Sequence, residues 1–214
     1  MEFSTLAKPR VPVFLAALFL LLLTLPAPRE AAAAKLSAPQ AVIQKLSDRM
    51  QRSLKGKPSP GRVYSLVNKI LVPYINFHMV SKRALGSKYW NKASSGQRSR
   101  FASQFKRMLV RTYGSAFSSY NSWTMKHLPM SSKKSGKSVA VRTRVTPSGT
   151  SSVDVVYLMY RGKGGWRAYD IIISGVSLAK SHTASFQGII RRSGMEGLIK
   201  ELAAMNRGKS RKRS

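Results

Sequence analysis

Val153-Asp154-Val155-Val156-Tyr157-Leu158-Met159-Tyr160, then Arg161, the turn Gly162-Lys163-Gly164-Gly165, and then Trp166-Arg167-Ala168-Tyr169-Asp170-Ile171-Ile172-Ile173 read as two β-strands joined in a hairpin. β-Branched and aromatic residues fill both runs, and glycines give the backbone freedom for a tight reversal. The first strand is apolar on both faces. Val153, Val155, Tyr157 and Met159 share one side; Val156, Leu158 and Tyr160 share the other. Such a strand belongs in a sheet layer covered on both sides.

Upstream of the hairpin, Val139, Val141, Thr143 and Val145 alternate with Ala140, Arg142 and Arg144, the pattern of a half-exposed strand that ends in the turn Pro147-Ser148-Gly149. Residues 122–130 supply a fourth strand. Before the strands the period is helical. Ile43, Leu46, Met50 and Leu54 mark a helix over 39–54, and Val63, Leu66, Val67 and Ile70 mark a second that Pro73 ends. Asn76 caps a short third helix that runs to Gly86. Ser94 and Gln97 form a capping box, and Phe101, Phe105, Met108, Leu109, Tyr113, Phe117 and Tyr120 trace the apolar stripe behind it. Two helices close the chain, one at 185–191 and one at 195–205, with Gly194 between them. Helices, then a small antiparallel sheet of about four strands, then helices make an α+β domain.

The N-terminus reads as a leader rather than as part of that domain. Lys8 and Arg10 precede an apolar run over 13–25, then come Pro26, Pro28 and Ala31-Ala32-Ala33-Ala34. A basic start, a short apolar stretch and a small-residue end are the parts of a signal peptide, and the run is shorter than the ~20 residues of a membrane span. The expected organisation is a leader over 1–34 cleaved near Ala34, a domain over 35–206 and a disordered basic tail over 207–214. An exported protein meets no ATP pool, so its work must run on binding energy or on a partner.

Lys and Arg number 38 against 7 Asp and Glu, a net charge of +31. Removing the leader takes away three cations and two carboxylates, which leaves about +30. Nucleic acid is the ordinary partner of so basic a chain, but export argues against it. Attraction to anionic headgroups is a second explanation. The favoured one is an acidic surrounding medium, where carboxylates are poor carriers of charge and a chain with few of them has few ion pairs to lose. The chain has no cysteine, so it has no disulfide, thiolate metal site or acyl anchor on cysteine.

Catalytic patterns are missing. His78, His127 and His182 fall in separate elements without ligand spacing, and no nucleophile elbow, HExxH or phosphate-cradling glycine loop occurs. Asp154 and Asp170 lie on neighbouring strands and form the one candidate carboxylate pair for acid–base chemistry; pairing of each with Arg or Lys, or capping of a strand end, is the favoured alternative. The expectation is a protein that is not an enzyme and carries no metal or cofactor.

Several segments together carry a family resemblance. Gly86-Ser87-Lys88-Tyr89-Trp90 leads into Ser94-Ser95-Gly96-Gln97-Arg98-Ser99-Arg100-Phe101 and on to Leu109-Val110-Arg111-Thr112-Tyr113. Later come Val153-Asp154-Val155-Val156-Tyr157, Gly165-Trp166-Arg167-Ala168-Tyr169-Asp170, Ser174-Gly175-Val176-Ser177-Leu178 and Gly194-Met195-Glu196-Gly197-Leu198. In this order they resemble the MlaC family of periplasmic lipid carriers, also called the toluene-tolerance (Ttg2) auxiliary family, which has a hopanoid-associated branch. The match covers nearly all of the chain after the leader.

The resemblance implies a soluble periplasmic carrier that buries phospholipid acyl chains in an apolar slot. It implies partners as well: an inner-membrane ABC transporter complex with MCE domains and an outer-membrane lipoprotein–porin complex, with only transient membrane contact. The slot is expected between sheet and helices. Its candidate walls, assigned by face and element, are Phe105, Leu109, Tyr113, Val141, Val156, Leu158, Ile172 and Val176, with Arg142 or Arg144 near the mouth to attract phosphate. Two other readings stay open: a carrier of hopanoid or another isoprenoid lipid on the same fold, and an exported basic module for nucleic acid or surface adhesion.

Overall fold

The computed structural model describes residues 36–56, 58–120, 122–132 and 138–211; the expected leader and residues 212–214 lie outside the described residues. Four helices come first: α1 (Ala38–Leu54), α2 (Pro60–Ile70), α3 (Phe77–Lys92) and α4 (Ser95–Gly114), then one turn of helix, α5 (Ala116–Ser119). The strands follow as β1 (Trp123–His127), β2 (Ser131–Ser132), β3 (Ser138–Pro147), β4 (Val153–Gly162), β5 (Gly165–Ile173) and β6 (Val176–Ser177), and α6 (Thr183–Arg211) closes the described chain. The fold is the expected α+β arrangement. The four longer strands are those read from the sequence, and β2 and β6 are two-residue additions.

Local chemistry explains the helix starts. Ser94 Oγ accepts from Gln97 N–H at 3.2 Å while Ser94 N–H donates to Gln97 Oε1 at 3.0 Å, the reciprocal capping box. Asn76 Oδ1 accepts from Met79 N–H at 3.0 Å and starts α3. That helix does not stop at Gly86. It breaks there, with φ 74° and ψ 158°, and resumes to Lys92. Gly194, at φ 67° and ψ −177°, breaks α6 in the same way, so the two closing helices are consecutive pieces of one element. Both conformations are open almost solely to glycine. α6 continues to Arg211, so the first part of the expected tail is helical.

The sheet is antiparallel in the order β1-β3-β4-β5-β6, with β2 also pairing with β3. A register shift between β4 and β5 decides the site. Met159 pairs with Ala168 and Leu158 with Asp170, which leaves Tyr169 as an extra residue. The bulge inverts the alternation of β5, so Ile171 and Ile173 share a face with Ala168.

Apolar packing falls into three groups. Phe101, Phe105, Phe186, Leu198 and Leu202 join α4 to α6. Met50, Leu54, Val63, Ile70 and Val110 join α1, α2 and α4. Ile43, Val141, Met159 and Ala168 join α1 to the inner face of the sheet. The outer face is not covered as expected: Val156, Leu158 and Ile172 stay half-buried there, and Arg142 and Arg144 are exposed. Among the described residues, no helix is long and apolar enough to cross a membrane.

Candidate functional site

Between the inner face of the sheet and helices α1–α4 lies a cavity of about 410 Å³. The sheet lines it with Val153, Val155, Tyr157 and Met159 of β4 and with Ala168, Ile171 and Ile173 of β5. Register explains the selection: Val155 faces Ile173, Tyr157 faces Ile171 and Met159 faces Ala168. The helices contribute Ile43, Leu46 and Met50 from α1, Val80 from α3, and Leu109 and Tyr113 from α4. Hydrocarbon dominates the walls. Its volume falls within the ~300–1,000 Å³ of small-molecule sites.

Three polar side chains of the wall, Trp123, Tyr157 and Asp170, are hydrogen-bonded. Trp123 Nε1–H donates to Ser47 Oγ at 2.8 Å, fixing the indole at the β1 side of the cavity, where it packs edge-on against Phe117. The Tyr157 phenol is pushed up by burial, an effect partly offset by its hydrogen bond with Thr143. Asp170 is the one charged residue in the wall among those described. Its Oδ1 accepts from the N–H groups of Ile171 and Ala179, and its Oδ2 accepts from Ser177 Oγ and Arg83 Nε, both at 2.6 Å.

The two strand aspartates are therefore each taken by an arginine. Asp154 lies on the outer face in a bidentate pair with Arg144, at 2.7 and 3.0 Å, and the hydrogen bond from Arg144 holds its carboxyl below the usual range. Nor do the histidines converge. His127 Nε2 lies 3.0 Å from Gln44 Oε1, His182 packs against Phe105 and Phe186, and burial lowers both imidazoles. His78 meets Trp90 edge-on.

Of the eight expected wall residues, Leu109 and Tyr113 line the cavity. Phe105, one turn before Leu109, points instead toward α6 and packs on Phe101 and Phe186. Val141 lies on the inner face but is fully covered by its neighbours Ile43, Met159 and Ala168. Val156, Leu158 and Ile172 do come together, since Val156 and Ile172 are register partners, but on the opposite face of the sheet. Val176 is 57% exposed on the edge strand β6. Arg142 and Arg144 share the outer face with Val156, away from any cavity mouth.

The strand error is one of parity. The sequence showed two apolar faces on β4, and the odd-numbered set turned inward. The missed residues Ile43, Leu46 and Met50 were visible as a helical stripe, but a stripe does not say whether it meets side chains or open space.

Comparison with other proteins matches this architecture. The family model described as MlaC protein covers residues 40–204. The toluene tolerance protein ttg2D of Pseudomonas putida is 29% identical over 161 residues, which is 73% of this chain and 74% of that protein. The intermembrane phospholipid transport system binding protein MlaC of Haemophilus influenzae is 26% identical over 168 residues, 76% of this chain and 77% of that protein. A phospholipid-binding protein from Ralstonia solanacearum, solved in complex with a phospholipid, superposes with a TM-score of 0.72 at 28% identity, covering 80% of this chain and 98% of that one. With its helices, its bulged sheet and the greasy space between them, this chain belongs to the MlaC family.

Proposed function

We propose that the protein is a periplasmic phospholipid carrier that works by binding and release. The acyl chains lie in the cavity between the sheet and α1–α4, and the headgroup stays at its edge. The observation that carries this reading is the 410 Å³ space walled by Val155, Tyr157, Ile171, Ile173, Leu109 and their neighbours. Each CH₂ moved from water into such walls is worth ~0.8 kcal/mol, so most of a chain's length must be sheltered before a lipid leaves a bilayer. Relatives named for phospholipid binding and transport support the choice of cargo.

On this reading the leader exports the chain, the domain carries lipid between an inner-membrane MCE-domain transporter and an outer-membrane lipoprotein–porin complex, and contact with either bilayer is brief. No chemical step is required, because the driving force is the difference in affinity between carrier and complex. Extraction of the purified protein followed by lipid mass spectrometry tests the proposal. A stoichiometric two-chain phospholipid is the expected result. A polycyclic isoprenoid in its place would change the cargo, and an extract with no lipid, from protein that also takes none from vesicles, would overturn the carrier reading.

A further inference from the structure

Arg83 stands one turn beyond Val80 on α3, and Val80 lines the cavity. Its only hydrogen bond among the described residues is the one from Nε to Asp170 Oδ2. The Asp170 side chain is fully buried, whereas that of Arg83 is 30% exposed. The guanidinium thus links the covered carboxylate of Asp170, a residue of the cavity wall, to solvent.

The mode of pairing is informative. Arg144 grips Asp154 with Nε and Nη2 together. Arg83 meets Asp170 through Nε alone, because Ser177 Oγ occupies the same carboxylate oxygen and two backbone N–H groups hold the other. Asp170 therefore fixes the guanidinium while leaving both Nη groups with no acceptor among the described residues. A planar fork of idle donors fits the oxygens of a phosphate. The backbone N–H of Lys180, an exposed residue, donates to the same Ser177 Oγ at 3.0 Å.

We infer that Arg83, held by Asp170, is the phosphate-binding residue of this carrier, and that it takes the phosphodiester of a lipid whose chains fill the cavity. The inference rests on the carrier reading and adds where the headgroup sits and why a phosphate is preferred there. Asp170 is a positioning residue. Arg142 and Arg144 have no part in it, since both lie on the outer face of the sheet.

The test offers the full-length protein vesicles holding equal amounts of phosphatidylglycerol and diacylglycerol with identical chains, and weighs by mass spectrometry what the protein carries off. The wild type is expected to favour the phospholipid about tenfold, the scale of one or two charge-assisted hydrogen bonds. Arg83→Gln combined with Asp170→Asn, which leaves no unpaired buried charge, is expected to erase the preference while still loading diacylglycerol. Should that pair fail to fold, Arg83→Lys keeps a cation for Asp170 without the fork and is expected to lower the preference severalfold. An undiminished preference in either folded variant overturns the inference and leaves the carrier reading standing. Failure of the wild type to take up either lipid sinks the carrier reading first. Inorganic phosphate alone, saturating the lipid-free protein at micromolar concentration through Arg83, would overturn the assignment to a lipid headgroup.

Discussion

Val155 and Val156 are adjacent in β4 yet serve opposite sides of the sheet: Val155 faces Ile173 across the cavity wall, and Val156 faces Ile172 on the half-exposed outer surface. A carboxylate at these two positions should therefore have opposite consequences. In Val155→Glu an ionised group enters a hydrocarbon space, at a cost on the order of several kcal/mol. Lipid retention is expected to fall at least about tenfold relative to Val156→Glu, which should fold and load like the parent. Quantitative lipid analysis of the two purified variants decides it, and equal retention would mean that the inner wall does not contact cargo.

The cavity end of α4 gives a second comparison. Leu109 and Tyr113 line the space, whereas Phe105 is buried against Phe101 and Phe186. Leu109→Ala is expected to enlarge the cavity and weaken loading with a modest loss of stability. Phe105→Ala should instead cost about 3–5 kcal/mol of folding free energy, as a large core truncation does. Urea unfolding of the delipidated proteins separates the two effects.

Two helix breaks depend on glycine. Gly86 and Gly194 hold φ 74° and 67° with extended ψ, and a Cβ on Gly86 would also stand 3.4 Å from Gln187 Nε2. Gly194 has open space around it, so Gly194→Ala reports backbone strain alone, about 1–3 kcal/mol. Gly86→Ala should cost at least as much. A denaturation midpoint unchanged in Gly194→Ala would show that the helix can straighten there.

Acid should weaken the fold through histidine rather than through carboxylates. His127 and His182 are lowered by burial from the ordinary 6.5, and His127 Nδ1 and His182 Nε2 are buried without a hydrogen-bond partner among the described residues. Below that pH the unfolded chain binds more protons than the folded one, so stability declines as pH falls from about 6.5. Asp154 acts in the same direction at lower pH, since its depressed carboxyl stabilises the fold above the ordinary carboxylate value and loses that effect as pH drops through the folded value. Its exposure to solvent keeps the effect small. Melting temperatures taken from neutral to about pH 4.5 should show the decline, and His182→Phe, which keeps a ring between Phe105 and Phe186, should flatten it. An equal slope in the variant would locate the titrating group elsewhere. Few carboxylates by themselves imply little loss of ion pairs in acid; the half-buried imidazoles are the reason to expect a decline.

Local chemistry written in the chain determined the elements. Ser94 and Gln97 close a capping box because their spacing matches the first helical turn, and the run from Val153 to Ile173 is strand because β-branched residues flank a glycine turn. The motif order also placed the chain in its family. Only the tertiary structure decided which side of each element meets the cavity. Both faces of β4 are apolar, so hydrophobicity could not choose between Val155 and Val156. The extra residue Tyr169 inverts the alternation of β5 and brings Ile171 and Ile173 inward in place of Ile172. A bulge depends on pairing with another strand, and an empty space depends on what fails to fill it. Neither is a property of a residue and its near neighbours in the chain, and the Arg83–Asp170 contact, spanning α3 and β5, is legible for the same reason only in three dimensions.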